Sequence, residues 1–252
     1  MKRSFVWLAP LLLAGCDLDL TGLGSCRYDR DFSEVASVSG VDVVRVIAEA
    51  GDLRVVGRAG ANDVRVYGTA CADNARDLDD IEVIVQRVGT AIRVLTLMPA
   101  GAGIDTHASL VVEVPEWMLV DIDHQLGRID VSNVSGVSIY DDSGDIYVDN
   151  IFGDVDINDD SGDIQMRNVD GNVWILDDSG QIDVRQVGGE VAVEEDGSGD
   201  LFVRDVLLDV WVGEDGSGDI VAEDVRGDFI VDLDGSGTIT YRNIGGVVLL
   251  PR

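Results

Sequence analysis

Glycine recurs with a fixed beat through the second half of this chain. Gly127, Gly136, Gly144, Gly153, Gly162, Gly171, Gly180, Gly189, Gly199, Gly218, Gly227, Gly237 and Gly246 follow one another at nine residues almost throughout, with one interval of eight early and tens later. One beat is missing, and Leu208 stands there. A period this regular restricts the chain to a repeat architecture, in which each unit buries its apolar face against its neighbours.

Every second beat carries Ser-Gly: DDSGDI at 141–146 and 159–164, DDSGQI at 177–182, then DGSGDL, DGSGDI and DGSGTI. The full period is therefore 18 residues, later 19, and the added residue is read as the Gly of DGSG. Between the turns apolar residues alternate, as in Ile164 and Met166 or Val173 and Ile175. Period two with β-branched enrichment predicts short strands, two per coil, joined by tight turns. Stacking such coils is the arrangement that buries both alternating columns, so the fold class is all-β, a parallel β-solenoid. At a rise of ~4.8 Å per coil, seven coils make a rod of roughly 30 Å. A further column, Asn133, Asn150, Asn168, Gln186, Asp205, Asp224 and Asn243, reads as a ladder of stacked polar side chains.

The same register settles an EF-hand likeness. From Asp232 the chain supplies Asp232, Asp234, Ser236, Gly237 and Asn243 at calcium-loop spacing. Each of these positions has counterparts in earlier coils that lack the complete pattern, and no amphipathic helix flanks them. The stretch is a solenoid turn.

The acids at those turns remain candidates for calcium. Asp145 and Asp163 fall one coil apart, as do Asp200 and Asp219, and Asp142 and Asp160 add carboxylates to the same edge, together with Asp141, Asp159, Asp177 and Asp178. Carboxylates ~4.8 Å apart repel by about 1 kcal/mol in water and ~3.5 kcal/mol at an effective dielectric of 20, which a bound cation would relieve. The coil of two nines resembles the calcium-binding nonapeptide roll of secreted toxins. The acid here falls one residue after its glycine rather than two, and the double glycine of that family is mostly absent.

The N-terminus has the form of a leader. MKRSFVWLAPLLLAGC opens with Lys2 and Arg3, continues in an apolar run too short to span a bilayer as a helix, and ends in small residues before a Cys. Leu13-Ala14-Gly15-Cys16 resembles the lipobox of bacterial lipoproteins, which implies cleavage before Cys16 and its lipidation. The domain reading is a signal peptide at 1–15, a lipidated Cys and polar tether at 16–40, an N-terminal β region capping the stack at 41–125, and regular coils at 126–252. The N-terminal region shows alternation and no convincing helix, and no second domain is expected after the last beat.

The formal net charge is −30, and no Lys follows the leader. Such a surface repels nucleic acid and anionic headgroups and attracts cations. Cys26 and Cys71 remain once Cys16 is lipidated, and in an exported chain they are a candidate disulfide. Closing that loop would stabilise by about 4 kcal/mol.

The order of parts across Val41–Arg252 resembles a bacterial putative-adhesin family (domain of unknown function 4097). The carriers are G-D-L-x-V-x-G from Gly51 to Gly57, V-x-V-P from Val112 to Pro115, and then repeated S-G-D-I-x-V with an intervening G-D-V. The resemblance implies a β-solenoid envelope protein and brings no catalytic residues. The residues themselves give none either. The acids repeat by rung rather than converging, the turns carry no insertions to wall a cleft, and Ser-Gly recurs with no base beside it. His107 and His124 are the only histidines, and His124 in DIDHQ reads as structural rather than as a metal ligand.

The expectation is thus a lipid-anchored, exported, non-catalytic envelope protein without a required cofactor. It is structural or adhesin-like, and its partners are the membrane through its lipid and a glycan or protein at the cell surface. Trp174 and Trp211, outward on the second-strand sheet two coils apart, are the candidate contact face. A calcium-stabilised roll and a scaffold polymerising end to end are the alternatives.

Overall fold

The structure is a computed structural model, and it describes residues 26–103 and 105–251. The leader, Cys16 and the tether as far as residue 25 lie outside the described residues, and the remainder of the expected tether is not one, because Tyr28–Ser37 is a strand of the first sheet. The N-terminal region contributes β1 (Tyr28–Ser37), β2 (Val43–Ala48), β3 (Leu53–Arg58), β4 (Asp63–Ala72), α1 (Ala75–Asp80), β5 (Glu82–Val88), β6 (Ala91–Leu97), β7 (His107–Pro115), β8 (Leu119–His124) and β9 (Ile129–Ser132). The regular coils follow as β10 (Gly136–Asp141), β11 (Ile146–Ile151), β12 (Val155–Asp159), β13 (Ile164–Val169), β14 (Val173–Asp177), β15 (Ile182–Val187) and β16 (Val191–Asp196). They continue as β17 (Leu201–Val206), β18 (Val210–Asp215), β19 (Ile220–Val225), β20 (Phe229–Asp234), β21 (Ile239–Ile244) and β22 (Val248–Leu249).

These strands form two sheets of 11 strands each, facing one another across a single core. The first runs β1-β4-β7-β3-β9 and then through the odd-numbered strands to β21. The second runs from β22 through the even-numbered strands to β8, β2, β6 and β5. Each coil contributes one strand to each sheet, and the coils pair in parallel, as Ile164↔Ile182 and Val173↔Val191 illustrate. The chain is a parallel β-solenoid.

Alternation does the packing. Ile146, Val148, Ile164, Met166, Ile182 and Val184 point inward from the first sheet and meet Val155, Ile157, Val173, Ile175, Val191 and Val193 from the second. Burying such a side chain fully is worth about 1.5–3 kcal/mol. Only in the last coil does the inward pair, Ile239 and Tyr241, stay partly open. The Ser-Gly beat has a steric cause. Gly180 has φ +154°, and a Cβ there would fall 1.8 Å from the carbonyl oxygen of Gly162 in the preceding coil.

The structure corrects four details of the repeat. The nineteenth residue is not the Gly of DGSG. Asp177 pairs with Asp196 while Ile175 pairs with Val193, so the extra residue is a β-bulge at Glu194–Glu195, carried on by Val193↔Val212 and Glu195↔Glu214. Gly197 simply replaces Asp178. The polar column is not primarily a ladder either. Asn133, Asn150, Asn168, Gln186, Asp205, Asp224 and Asn243 all have φ between 56° and 60°, the left-handed conformation that Asn and Asp tolerate best. Each swings the chain off the first sheet so that the next residue, such as Val169 or Val187, plugs the corner. Side-chain rungs exist only in part: Asn150 Nδ2 donates to Asn133 Oδ1 at 2.6 Å and Asn243 Nδ2 to Asp224 Oδ1 at 2.7 Å.

Third, the acids of DDSG do not share one edge. Asp141, Asp159 and Asp177 end their strands pointing into the core, and Asp196 and Asp215 extend the same inward column. His124 pairs with Asp141 at its head. Fourth, a short helix is present. Asn74 caps α1 by accepting the N–H groups of Arg76 and Asp77 at 3.1 and 3.0 Å.

The N-terminal region joins the stack out of order. The β2–β3 coil lies between the β6–β7 coil and the β8–β9 coil, pairing in parallel with both. Antiparallel β1 and β4 extend the first sheet beyond β7, and antiparallel β5 extends the second beyond β6. Cys26 and Cys71 are joined as a disulfide, with Cα atoms 5.6 Å apart. It ties the start of the described chain to the end of β4.

Candidate functional site

Outward positions of a parallel stack form columns, because each strand adds the same register. On the first sheet one column reads Arg54, Asp130, Tyr147, Gln165, Asp183 and Phe202. Beside it runs Ser132, Asp149, Arg167, Arg185, Arg204, Glu223 and Arg242. Seven arginines follow residue 126, and five of them, Arg128, Arg167, Arg185, Arg204 and Arg242, lie on this face. The chain as a whole carries −30. Within the regular coils, positive charge is therefore gathered on this face.

A groove of about 590 Å³ opens between these columns, walled by Arg54, Arg128, Tyr147, Gln165, Arg167 and Arg185. That volume lies within the range of small-ligand sites. Asp130, Asp149 and Asp183 hold the guanidinium groups in place. Arg128 bonds both oxygens of Asp130 at 2.9 Å and lies 3.9 Å from the centroid of the Tyr147 ring. Arg167 bonds Asp149 at 2.9 Å, and Arg185 grips Asp183 through Nε at 2.7 Å and through Nη2. Further along, Arg204 and Arg242 converge on Glu223 at 3.5 and 3.2 Å. Burial alone would raise the pKa of Asp149, but hydrogen bonds from Arg167 and Asn168 outweigh it and hold the carboxyl below its usual range. Burial, with Asp145 close by, pushes the Tyr147 phenol up, so it stays a neutral donor. The groove offers fixed guanidinium edges, an aromatic ring, an amide and ionised carboxylates. The carboxylates at its centre are each already bound by an arginine.

The sequence-based candidates fall elsewhere. Trp174, Ala192, Trp211 and Ile230 form an outward column on the opposite sheet, as their spacing requires. Both tryptophans are half-buried, and Trp211 Nε1 donates to Asp232 Oδ2 at 2.9 Å. Asp145, Asp163, Asp200 and Asp219 each accept a backbone N–H from the next coil: Asp163 at 3.2 Å, Gln181 at 3.0 Å, Asp219 at 3.0 Å and Thr238 at 2.9 Å. They tie turn to turn. Asp142 and Asp160 sit at the surface of the same turns. Among the described residues, no three His, Cys, Asp or Glu side chains are placed together to hold a metal ion. Among the same residues, no helix is long and apolar enough to cross a membrane.

The arginine face escaped the sequence reading, though a signal was there. Arg167 and Arg185 stand one period apart, and Arg204 and Arg242 keep the beat at one and three further coils. Counted by phase, these cations fall on one side of the repeat.

No protein-family model matches the chain, and no curated protein does. Solved structures align with it at low identity. A putative adhesin from Parabacteroides distasonis ATCC 8503 is 13% identical, with a TM-score of 0.41 over 88% of this chain and 97% of that one. A putative adhesin from Bacteroides fragilis NCTC 9343 is 14% identical, with a TM-score of 0.36 over 88% and 97%. A putative cell adhesion protein from Clostridium sporogenes ATCC 15579 is 8% identical, with a TM-score of 0.33 over 89% and 100%.

Proposed function

We propose that this chain is a non-catalytic, adhesin-like module of a bacterial cell envelope, anchored by a lipid on Cys16, and that it binds a surface polysaccharide along the arginine face of the first sheet. The observation that carries the reading is the gathering of four arginines, Arg54, Arg128, Arg167 and Arg185, around a groove of about 590 Å³ on a chain of net charge −30. Guanidinium groups held by carboxylates present paired donors and acceptors in fixed geometry, which suits the hydroxyl and carboxylate groups of a glycan. Arg167, Arg185 and Arg204 stand on successive rungs ~4.8 Å apart, so an extended polymer would meet a guanidinium at each of the three. Among the regular coils attraction is concentrated on this side, because their other faces are dominated by acids. No catalytic role is assigned. The groove's central carboxylates are each engaged by an arginine, and an acid–base pair needs one partner free to carry a proton.

The test is co-sedimentation of the lipidated protein with purified envelope polysaccharides, in EDTA and in millimolar calcium. Arg167→Gln with Arg185→Gln should weaken binding at least tenfold, while Trp174→Ala with Trp211→Ala leaves it within twofold. The reverse pattern would move the contact to the second sheet. Binding that appears only with calcium would favour metal at the turn acids instead.

A further inference from the structure

Six strands of the second sheet end in an inward aspartate at one register. His124, Asp141, Asp159, Asp177, Asp196, Asp215 and Asp234 are successive neighbours in a single file. From His124 to Asp196 every member is fully buried, Asp215 is 1% exposed, and Asp234 at the far end is partly open to solvent. Few of the oxygens are satisfied. One oxygen each of Asp159 and Asp177 accepts the N–H of Ser161 or Ser179 at 3.3 Å. Asp141 Oδ2, Asp159 Oδ2, Asp177 Oδ2, Asp234 Oδ1 and both oxygens of Asp196 and Asp215 have no hydrogen-bond donor.

Such a file cannot be fully ionised. Adjacent charges at ~4.8 Å repel by about 3.5 kcal/mol at an effective dielectric of 20, and each buried carboxylate adds a desolvation cost of several kcal/mol. Over six members this exceeds the whole stability of an ordinary domain, about 5–15 kcal/mol. Positive charge must accompany the file. The charged groups bearing on it from neighbouring turns, Asp142, Asp160, Asp163, Asp178 and Asp200, are all acidic, and among the described residues His124 is the one basic group in contact. Each interval between rungs offers a cation only two carboxyls, and no three acids are grouped to hold a metal among the described residues.

We propose that the aspartate file is a proton-binding site, in which neighbouring carboxyls share protons along the inside of the rod from Asp234 to His124. A proton on one carboxyl turns a repulsive neighbour contact into an O–H···O⁻ hydrogen bond, among the strong kinds in proteins. Asp215 and Asp234 are neighbours in the file, and after burial the Asp234 carboxyl is what raises the pKa of Asp215. At the closed end His124 Nε2 donates to the Gly51 carbonyl at 2.9 Å, so the 2.9 Å contact of Nδ1 with Asp141 Oδ1 holds one further proton. Burial, reinforced by neighbouring aspartates, raises Asp159 to about 8 and Asp196 to about 7. Burial likewise raises Asp177 and Asp215 to about 6. The protons come from water, and unfolding returns them.

The test needs no variant to begin. Infrared spectra of the folded protein, with and without ¹³C-aspartate, are recorded from pH 4 to pH 9 after dialysis against EDTA. A label-sensitive carboxylic-acid band should persist at pH 7, about three units above the ordinary aspartate pKa. Asp159→Asn and Asp196→Asn should each reduce it. If either variant fails to fold, proton uptake by the wild-type chain on refolding at pH 7 gives the same answer. Absence of the band at pH 7 in the folded protein would overturn the proposal. So would calcium or another metal retained through EDTA in proportion to the protein, because metal would then neutralise the file.

Discussion

Each coil turns two inward corners, and they are filled with opposite materials. After the first sheet the plug is hydrocarbon: Ile151, Val169, Val187, Val206 and Val225 are all buried. After the second sheet it is carboxyl: Asp141, Asp159, Asp177, Asp196 and Asp215 are just as buried. The two corners also bend by different means. The hydrocarbon corner uses one left-handed Asn, Gln or Asp, and its glycine beat tolerates Leu208, half exposed at 51%. The acid corner uses Ser-Gly at every coil, with φ between 138° and 156° from Gly144 to Gly237. Packing alone is therefore not what selects the acid corner. A hydrocarbon plug already solves the same geometric problem one half-turn away.

Breaking the acid corner sterically should have the largest effect. Gly180→Ala drives a Cβ to 1.8 Å from the Gly162 carbonyl oxygen and should cost about 4 kcal/mol or more in urea unfolding. Gly189→Ala has no left-handed φ to strain and sits at the beat where Leu208 is accommodated, but its Cβ would fall 2.5 Å from the Gly171 carbonyl oxygen, so it should cost less than Gly180→Ala, about 1–3 kcal/mol. Exchanging the fillings comes next. Val187→Asp sets a carboxyl between Val169 and Val206, with no neighbour to share a proton, and should cost about 3 kcal/mol at pH 8.

The pH dependence separates the corners more gently. The raised aspartates hold protons when folded that the unfolded chain releases above about pH 4. Their stabilisation is complete below that pH and is lost as pH rises through about 6 to 8. The thermal midpoint at pH 5 should exceed that at pH 8 by roughly 5–10 °C, about 2–3 kcal/mol for a chain of this size. Asp149 has the opposite sign, and its smaller contribution fades only at more acid pH. Smallest of all, Asn168→Ala should cost about 1 kcal/mol for its left-handed backbone, and Asn168→Gly should recover most of it.

The solenoid was legible because its cause is local: glycines that only a stacked turn requires, and alternation that only two facing sheets bury. The corner aspartates were not, because Asp141 and Asp142 look alike in sequence and differ only in the face their backbone presents. Alternation held the answer, since Val173, Ile175 and Asp177 share one parity. Composition argued louder, because an acid is expected outside. The bulge at Glu194 hid in the same way: a count of residues gives the length of a coil and not the place of its insertion. Trp174 and Trp211 stand out in the sequence as large and rare, whereas Arg167 and Arg185 form a column only as members of a phase.

The position of β2–β3 carries a consequence in time. Of the described coils this one is made first, yet its two flanks are filled by strands made later, β6–β7 on one side and β8–β9 on the other. A chain emerging from its N-terminus cannot wind up rung by rung as simple repeats do. It must hold β2–β3 half-dressed until residue 132 has appeared, and only then can the regular coils add in sequence. Once closed, the early coil is locked between neighbours from both directions.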